Sequence, residues 1–436
     1  MTGPMTNNLT AKPPVYYGWY IVAAAFFIGM VVTGSRSAFG VFVIPLSEEF
    51  GWSRSTISLA AATGALVGGL TQPFIGNLYD RLGARKVILA SLVAVGLATI
   101  SLTLTFHFFF FIFMFGFVLS TAGGGTRLIG PLVVRWFRRK RATAVSLTSV
   151  GTSVGSLVLV PFAMFLLQAT SWRVSWAAMG IIILVLAVPL AFLLLRDDPS
   201  ELGLQPDGDP EPSERDTSGI AAQRRGPLEV DRWVDSFHSL PMWQLNASYF
   251  VCGFTTLIIS VHFVPYAIDR GVSPTMGATI FGVMMGLNVV GGIGAGLLAD
   301  RFGRKNVLAM VYLMRGTGYV VMLLIPGTLG LWAFAAVVGF SWIATAPLTS
   351  TLTADVYGLR TLGTLTGVSF LGHQIGGVCG VLLGGFLYDL TGSYTLPFAI
   401  VGSLLFPAAL SAFSIKERKY STKYQVQPAT AVTSGM

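Results

Sequence analysis

Charge is what this sequence has least of: 11% of its residues are Asp, Glu, Lys or Arg, against 53% apolar. A soluble domain carries about 25% charged residues, so a water-soluble globular fold of this length is excluded. Cysteine is almost missing. Cys252 and Cys379 are the only two, and both fall in apolar runs as small packing residues, so neither a disulfide framework nor a metal-ligand spacing exists. The chain also has no G-x-x-x-x-G-K-S/T loop and no H-E-x-x-H, the signatures of nucleotide and zinc chemistry. The expectation is a protein that is not an enzyme, holds no metal or cofactor, and draws any work it does from a gradient.

Long uncharged apolar runs are abundant. Twelve of them recur, at 17–46, 55–79, 87–106, 108–134, 142–168, 174–195, 241–267, 274–299, 306–326, 329–354, 361–388 and 393–415. Each is near or above the ~20 residues that cross ~30 Å of hydrocarbon as a helix. The fold class read from this is an all-α membrane protein of twelve transmembrane helices in two six-helix halves, 17–196 and 241–415. Residues 1–16 and 416–436 read as polar tails, and 1–16, with Pro13 and Pro14, do not resemble a signal peptide. Residues 197–240, rich in Asp, Glu, Pro, Ser and Gly, read as a solvated linker. Its last part, Leu228 to Leu240 with Trp233 and Phe237, is expected along the membrane surface.

The formal charge of +9 would fit a nucleic-acid binder only if it formed one solvated patch, and it does not. Arg36, Arg127 and Arg315 fall inside spans, Arg54, Arg173 and Arg270 fall on one side, and the other 22 of the 28 Lys and Arg share the side of both tails. That asymmetry places both termini in the cytoplasm of a cell (plasma or inner) membrane protein. The run Arg135-Trp136-Phe137-Arg138-Arg139-Lys140-Arg141, between two apolar spans, reads as a stop-transfer anchor. The lipid bilayer is a partner and nucleic acid is not.

The chain repeats itself. Gly76-Asn77-Leu78-Tyr79-Asp80-Arg81-Leu82-Gly83-Ala84-Arg85-Lys86 returns 220 positions later as Gly296-Leu297-Leu298-Ala299-Asp300-Arg301-Phe302-Gly303-Arg304-Lys305. Glycines permit a tight reversal, and Asp and Arg can pair with each other or with helix ends. Val41, Pro45, Gly51 and Ser53 match Val261, Pro265, Gly271 and Ser273 at the same offset, and Gly151 and Gly155 match Gly372 and Gly376 at 221. Two such halves form a carrier with its site at their interface, near the midplane.

The duplicated motif resembles the loops between helices 2 and 3 and between helices 8 and 9 of the major facilitator superfamily. That resemblance implies that helices 1, 4, 7 and 10 line a cavity, that 2, 5, 8 and 11 gate it, and that 3, 6, 9 and 12 stand outside. Gly76, Asp80, Arg81, Gly83, Gly296, Asp300, Arg301 and Gly303 are then conformational gate residues. A narrower resemblance, to the monocarboxylate transporters and oxalate/formate antiporters, rests on three stretches: Tyr16-Tyr17-Gly18-Trp19 with Gly40-Val41-Phe42, the turn at Arg135 to Arg141, and Gly380 through Gly384-Gly385 to Tyr388-Asp389-Leu390-Thr391-Gly392-Ser393-Tyr394. That family places a substrate-binding Arg in helix 8, four residues after an Asp or Asn. Here Asn288 is present, but Gly292 stands where the Arg would be.

All Asp and Glu read as lying in loops, tails or span ends, which leaves the three intramembrane arginines without a buried acid. A buried charge is costly and is tolerated mainly beside an interior or wet cavity, and an arginine fork fits a carboxylate. Arg36, between Ser35 and Ser37, is a ligand contact or a gate residue that bonds helix-end carbonyls. Arg127, after Gly123-Gly124-Gly125, is a ligand contact or snorkels to the surface. Arg315, central in helix 9, reads as structural. Asn288, His373 and Gln374 complete the candidate substrate residues. In the absence of intramembrane acids, His373 and His262 are the candidates for proton coupling.

The function read from this is secondary active transport, by a monomer, of a small organic anion (a mono- or dicarboxylate) through alternating access, with proton symport or anion exchange. Proton-driven efflux of apolar or drug-like compounds and a non-transporting sensor are the competing readings.

Overall fold

The computed structural model describes residues 15–52, 54–208, 226–421 and 424, so most of both tails, the middle of the linker and Ser53 lie outside the described residues. It is helical, with no strand among the described residues. The helices are α1 Gly18–Phe50, α2 Arg54–Leu82, α3 Ala84–Leu104, α4 Phe108–Trp136, α5 Arg141–Ala169 and α6 Trp172–Leu194. The second half repeats them as α7 Leu240–Asp269, α8 Pro274–Phe302, α9 Arg304–Leu324, α10 Gly327–Gly339 with Thr345–Tyr357, α11 Leu362–Thr391 and α12 Thr395–Ser414.

Among the described residues, eleven helices are long and apolar enough to span alone. The tenth is not the continuous 329–354 run that hydropathy outlines. It is two pieces of 13 residues each, about 20 Å apiece at the helical rise, joined by turns at 340–344. Helix α4 is interrupted in the corresponding place, at Gly123–Gly125.

The duplicated motif is less loop than the sequence implies. Asp80, Arg81, Asp300 and Arg301 sit in the last turns of α2 and α8, and only Gly83 (φ 93°) and Gly303 (φ 102°) stand between the helices. One residue at positive φ reverses the chain, which only glycine does without strain. The N-terminal end of α3 is capped by Asp197, which accepts from Arg85 N at 2.5 Å. In the other half Glu417 accepts from Arg304 N and Lys305 N at 3.0 and 3.2 Å, so the repeat includes a capping acid after the sixth and twelfth helices.

Two apolar cores form, one per half. Helices α1 and α5 meet closely because Gly151 and Gly155 put backbone against Phe26 and Met30. Their counterparts in contact between α7 and α11 are Gly376 and Gly380, against Phe250 and Phe254. The sequence match to Gly372 and Gly376 is therefore one turn out of register with the packing.

Tyr17 donates to Leu194 O (3.0 Å), and Glu417 meets the start of α9, so both chain ends share the face that carries Arg81, Lys86, Arg138 to Arg141, Arg301, Lys305 and Arg360. This is called the basic face below. The end of the linker does not lie free along a membrane surface. Leu228 N donates to Val356 O (3.0 Å), and Trp233 and Phe237 of the short helix Trp233–His238 pack on the C-terminal core, because the end of α10 offers an apolar seat there.

Candidate functional site

A cavity of about 320 Å³ lies between the halves, walled by α1, α4 and α5 on one side and by α7, α10 and α11 on the other, including Ile28, Thr148, Tyr249, Pro347 and Ser350. A second chamber of about 520 Å³ adjoins it and reaches Arg36. The two share Val32, Thr33, Thr126, Arg127 and Phe370, and no Asp or Glu lines either.

Arg36 and Arg127 thus come together at one chamber. Arg36 is exposed to it and makes no hydrogen bond or ion pair with the protein among the described residues. Arg127 does not snorkel. Its Nη1 donates to Gln72 Oε1 at 3.0 Å, and its guanidinium lies 5.1 Å from the Phe370 ring centroid. Gln72 is buried and is itself oriented by donating Nε2 to Gly124 O (3.0 Å).

The remaining polar residues singled out in the sequence divide between the chamber and the helix breaks. Asn288 is buried, and its Oδ1 accepts from Ile343 N at 2.7 Å. Arg315, fully buried, donates Nη2 to Ser341 O and Trp342 O (2.7 and 2.9 Å) and Nη1 to Cys252 Sγ and Thr255 Oγ1 (3.3 and 3.4 Å). Both side chains serve the break in α10, whose freed backbone groups would cost several kcal/mol each if left unpaired in a bilayer. The α4 break is held in the same manner by Gln72 and by Ser91, whose Oγ accepts from Gly125 N (3.1 Å). His373 lines neither chamber, and its ring packs 4.8 Å from Tyr249 and 6.1 Å from Phe370, which do. Gln374 does line the Arg36 chamber, and its Nε2 donates across the halves to Ala65 O (3.2 Å). His262 is bonded at both ring nitrogens, to Tyr394 Oη (3.3 Å) and Val381 O (3.1 Å).

The residues of the duplicated motif split by type. Asp80 reaches across to the start of α11 and accepts from Gly363 N (2.9 Å), Thr364 N (2.7 Å) and Thr364 Oγ1 (2.7 Å). Asp300 reaches back to the start of α5 and accepts from Ala142 N (3.1 Å) and Thr143 N (2.8 Å). Gly76 and Gly296 let these helices approach Gly363 and Ser146. Arg81 and Arg301 are exposed and make no cross-half bond among those found. The sequence reading missed the centre of this seal. Asp355, 1% exposed, bonds Arg141 Nη1 at 2.7 Å and pairs with Arg304, itself fully buried. Its position in the last turn of α10 made it look like a span end. The residues that bridge the halves on the basic face keep that face closed.

The Major Facilitator Superfamily family model matches residues 25–378. Among curated relatives, an uncharacterised MFS-type transporter, YcxA of Bacillus subtilis, is 26% identical over 88% of this chain and 91% of its own. Human monocarboxylate transporter 11 is 29% identical over 92% of this chain and 83% of its own. Among solved structures, the fucose transporter FucP in an outward conformation superposes with a TM-score of 0.66 at 17% identity, over 90% and 98% of the two chains. The human organic anion transporter MFSD10 gives 0.69 at 14%, over 92% and 100%. The chain belongs to the major facilitator superfamily and is a multi-pass membrane transporter, not an enzyme.

Proposed function

We propose that this transporter carries a small organic anion, a mono- or dicarboxylate, by alternating access. The observation that carries this is Arg36: a guanidinium without a protein partner, facing a chamber that also holds Arg127 and no acid. A permanent cation enclosed in a bundle is stabilised by an anion, and a fork of donors matches a carboxylate. The apolar walls at Ile28, Val32, Pro347 and Phe370 suit a short hydrocarbon body behind the charged head. Several relatives are monocarboxylate transporters, which supports the same class.

In this reading the basic face is cytoplasmic, the protein sits in the cell membrane as a functional monomer with both termini inside, and the closed basic face corresponds to the state that loads from outside. Release requires Asp80 and Asp300 to leave the starts of α11 and α5. Of the two histidines proposed for proton coupling, His373 contacts Tyr249 and Phe370 of the cavity wall, which supports its assignment, whereas His262 is held by its two bonds.

The test is thermal stabilisation of purified protein by acetate, lactate, pyruvate and oxalate against their neutral amides, since a ligand stabilises by RT ln(1 + [L]/Kd). Carboxylates are expected to stabilise the wild type and to lose that effect in Arg36→Gln. Equal stabilisation by the amides would refute an anionic substrate.

A further inference from the structure

The chamber at Arg36 is not simply the outer part of the cavity between the halves. Its walls include Val95 and Thr99 of α3 and Trp176 and Ile183 of α6, two helices the family resemblance places outside. It is therefore set within the first half, and only Phe370 and Gln374 of α11 close it from the other side. The two arginines are not equivalent there. Arg36 has no protein partner, whereas Arg127 has given Nη1 to Gln72 and one face to Phe370. Arg127 Nε and Nη2 make no hydrogen bond in the described structure, so it can take an anion only beside the Phe370 ring. Phe370 and Arg127 belong to both chambers, together with Val32, Thr33 and Thr126, so the passage between them runs past this pair.

We propose that the Arg36 chamber is a separate anion-capture site, from which a carboxylate passes to Arg127 and the central cavity across a septum made by Phe370. This rests on the anion-transport reading above. Phe370 follows Gly363 and Thr364, the residues bonded by Asp80, by about two helical turns or ~10 Å on α11. Opening the basic face moves the start of α11, and a rigid helix carries that motion to Phe370. The septum yields as the exit forms, which keeps the anion from meeting an open path on both sides. The size of residue 370 then sets the length of hydrocarbon tail that crosses.

The test pairs two measurements on the full-length protein with straight-chain carboxylates from acetate to octanoate: stabilisation for binding, and uptake into proteoliposomes for passage. Arg36→Gln is expected to weaken acetate binding by roughly tenfold or more, while Arg127→Gln keeps binding within about threefold and loses at least about tenfold of uptake. Phe370→Ala is expected to improve octanoate uptake about tenfold relative to acetate, with Phe370→Leu intermediate. The leucine variant keeps an apolar side chain beside Arg127 should the alanine fail to fold. Equal loss of binding in the two arginine variants would mean one shared site, and a chain-length profile unaltered in both Phe370 variants would remove the septum. Failure of every carboxylate to stabilise the wild type would instead strike down the anionic substrate itself.

Discussion

Asp80→Asn is the perturbation whose effect the structure fixes best. The carboxylate accepts three hydrogen bonds from the first residues of α11, at 2.7 to 2.9 Å, and its charge faces the positive end of that helix. A hydrogen bond to a charged group contributes about 1.5–3 kcal/mol, and asparagine keeps one acceptor oxygen and hence part of the set. The net loss is about 2–4 kcal/mol, all of it from the state with the basic face closed, because the contact joins the two halves. At about 1.4 kcal/mol per decade, the ratio of closed to open basic face falls by about 30- to 700-fold. Pairs of spin labels at exposed Lys86 and Arg360, in a background with Cys252 and Cys379 replaced, report the two populations as two distance distributions. Asp300→Asn is expected to shift them the same way, since Asp300 caps α5 from the opposite half and meets Arg304 at 3.5 Å. Carboxylate affinity per closed molecule stays within about threefold, because neither residue lines a chamber. Unaltered distance distributions alongside lost transport would refute the assignment of these acids as locks.

Arg36→Gln is expected to lose about 1.5–3 kcal/mol of anion binding, roughly one to two decades in Kd, and Arg36→Lys to be impaired as well because an ammonium lacks the fork. An unchanged Kd by calorimetry would remove Arg36 from the site. Asp355→Asn strips the counter-charge from buried Arg141 and Arg304 and is expected to cost about 3–5 kcal/mol, read as a large drop in melting temperature. A cysteine at exposed Arg232 is expected to react with an impermeant maleimide in inverted vesicles and not in intact cells, and the reverse would overturn the orientation proposed.

The twelve-helix fold and the duplicated charged motif were legible in the sequence because hydropathy and a charged motif are properties of contiguous residues. The direction of a side chain around an almost wholly apolar helix is not. Asn288 and His373 stand on the helices the reading chose, yet one turns to the backbone of α10 and the other packs behind Tyr249. Successive residues rotate by ~100° about a helix, and a span without a polar face leaves that rotation undefined. Partners distant in sequence were hidden for a related reason. Asp355 reads as a loop acid until α5 and α9 bring Arg141 and Arg304 to it. Gln72, a lone amide before Pro73, carried a signal that could have been used, since an amide inside a span must find partners.

The arginine at position 315 shows how the two halves came to differ. Both α4 and α10 break near mid-span, and each break is held by one side chain from the preceding gate helix and one from the helix after it: Gln72 and Ser91 for α4, Asn288 and Arg315 for α10. In the second half a permanent cation holds the backbone, turning Nη2 on two carbonyls and Nη1 on Cys252 and Thr255. In the first half two neutral groups do the same work, so Arg127 is released to the chamber wall and Arg36 remains without a partner. In the anion-transport reading proposed above, recognition of the charge is confined to the first half, and the second half supplies Phe370, Tyr249 and the α10 wall for the rest of the substrate. The Gly292 that replaces the expected arginine fits this division, because it packs against Ile343 and Val150, a position where a guanidinium would displace the very segment that Arg315 and Asn288 hold.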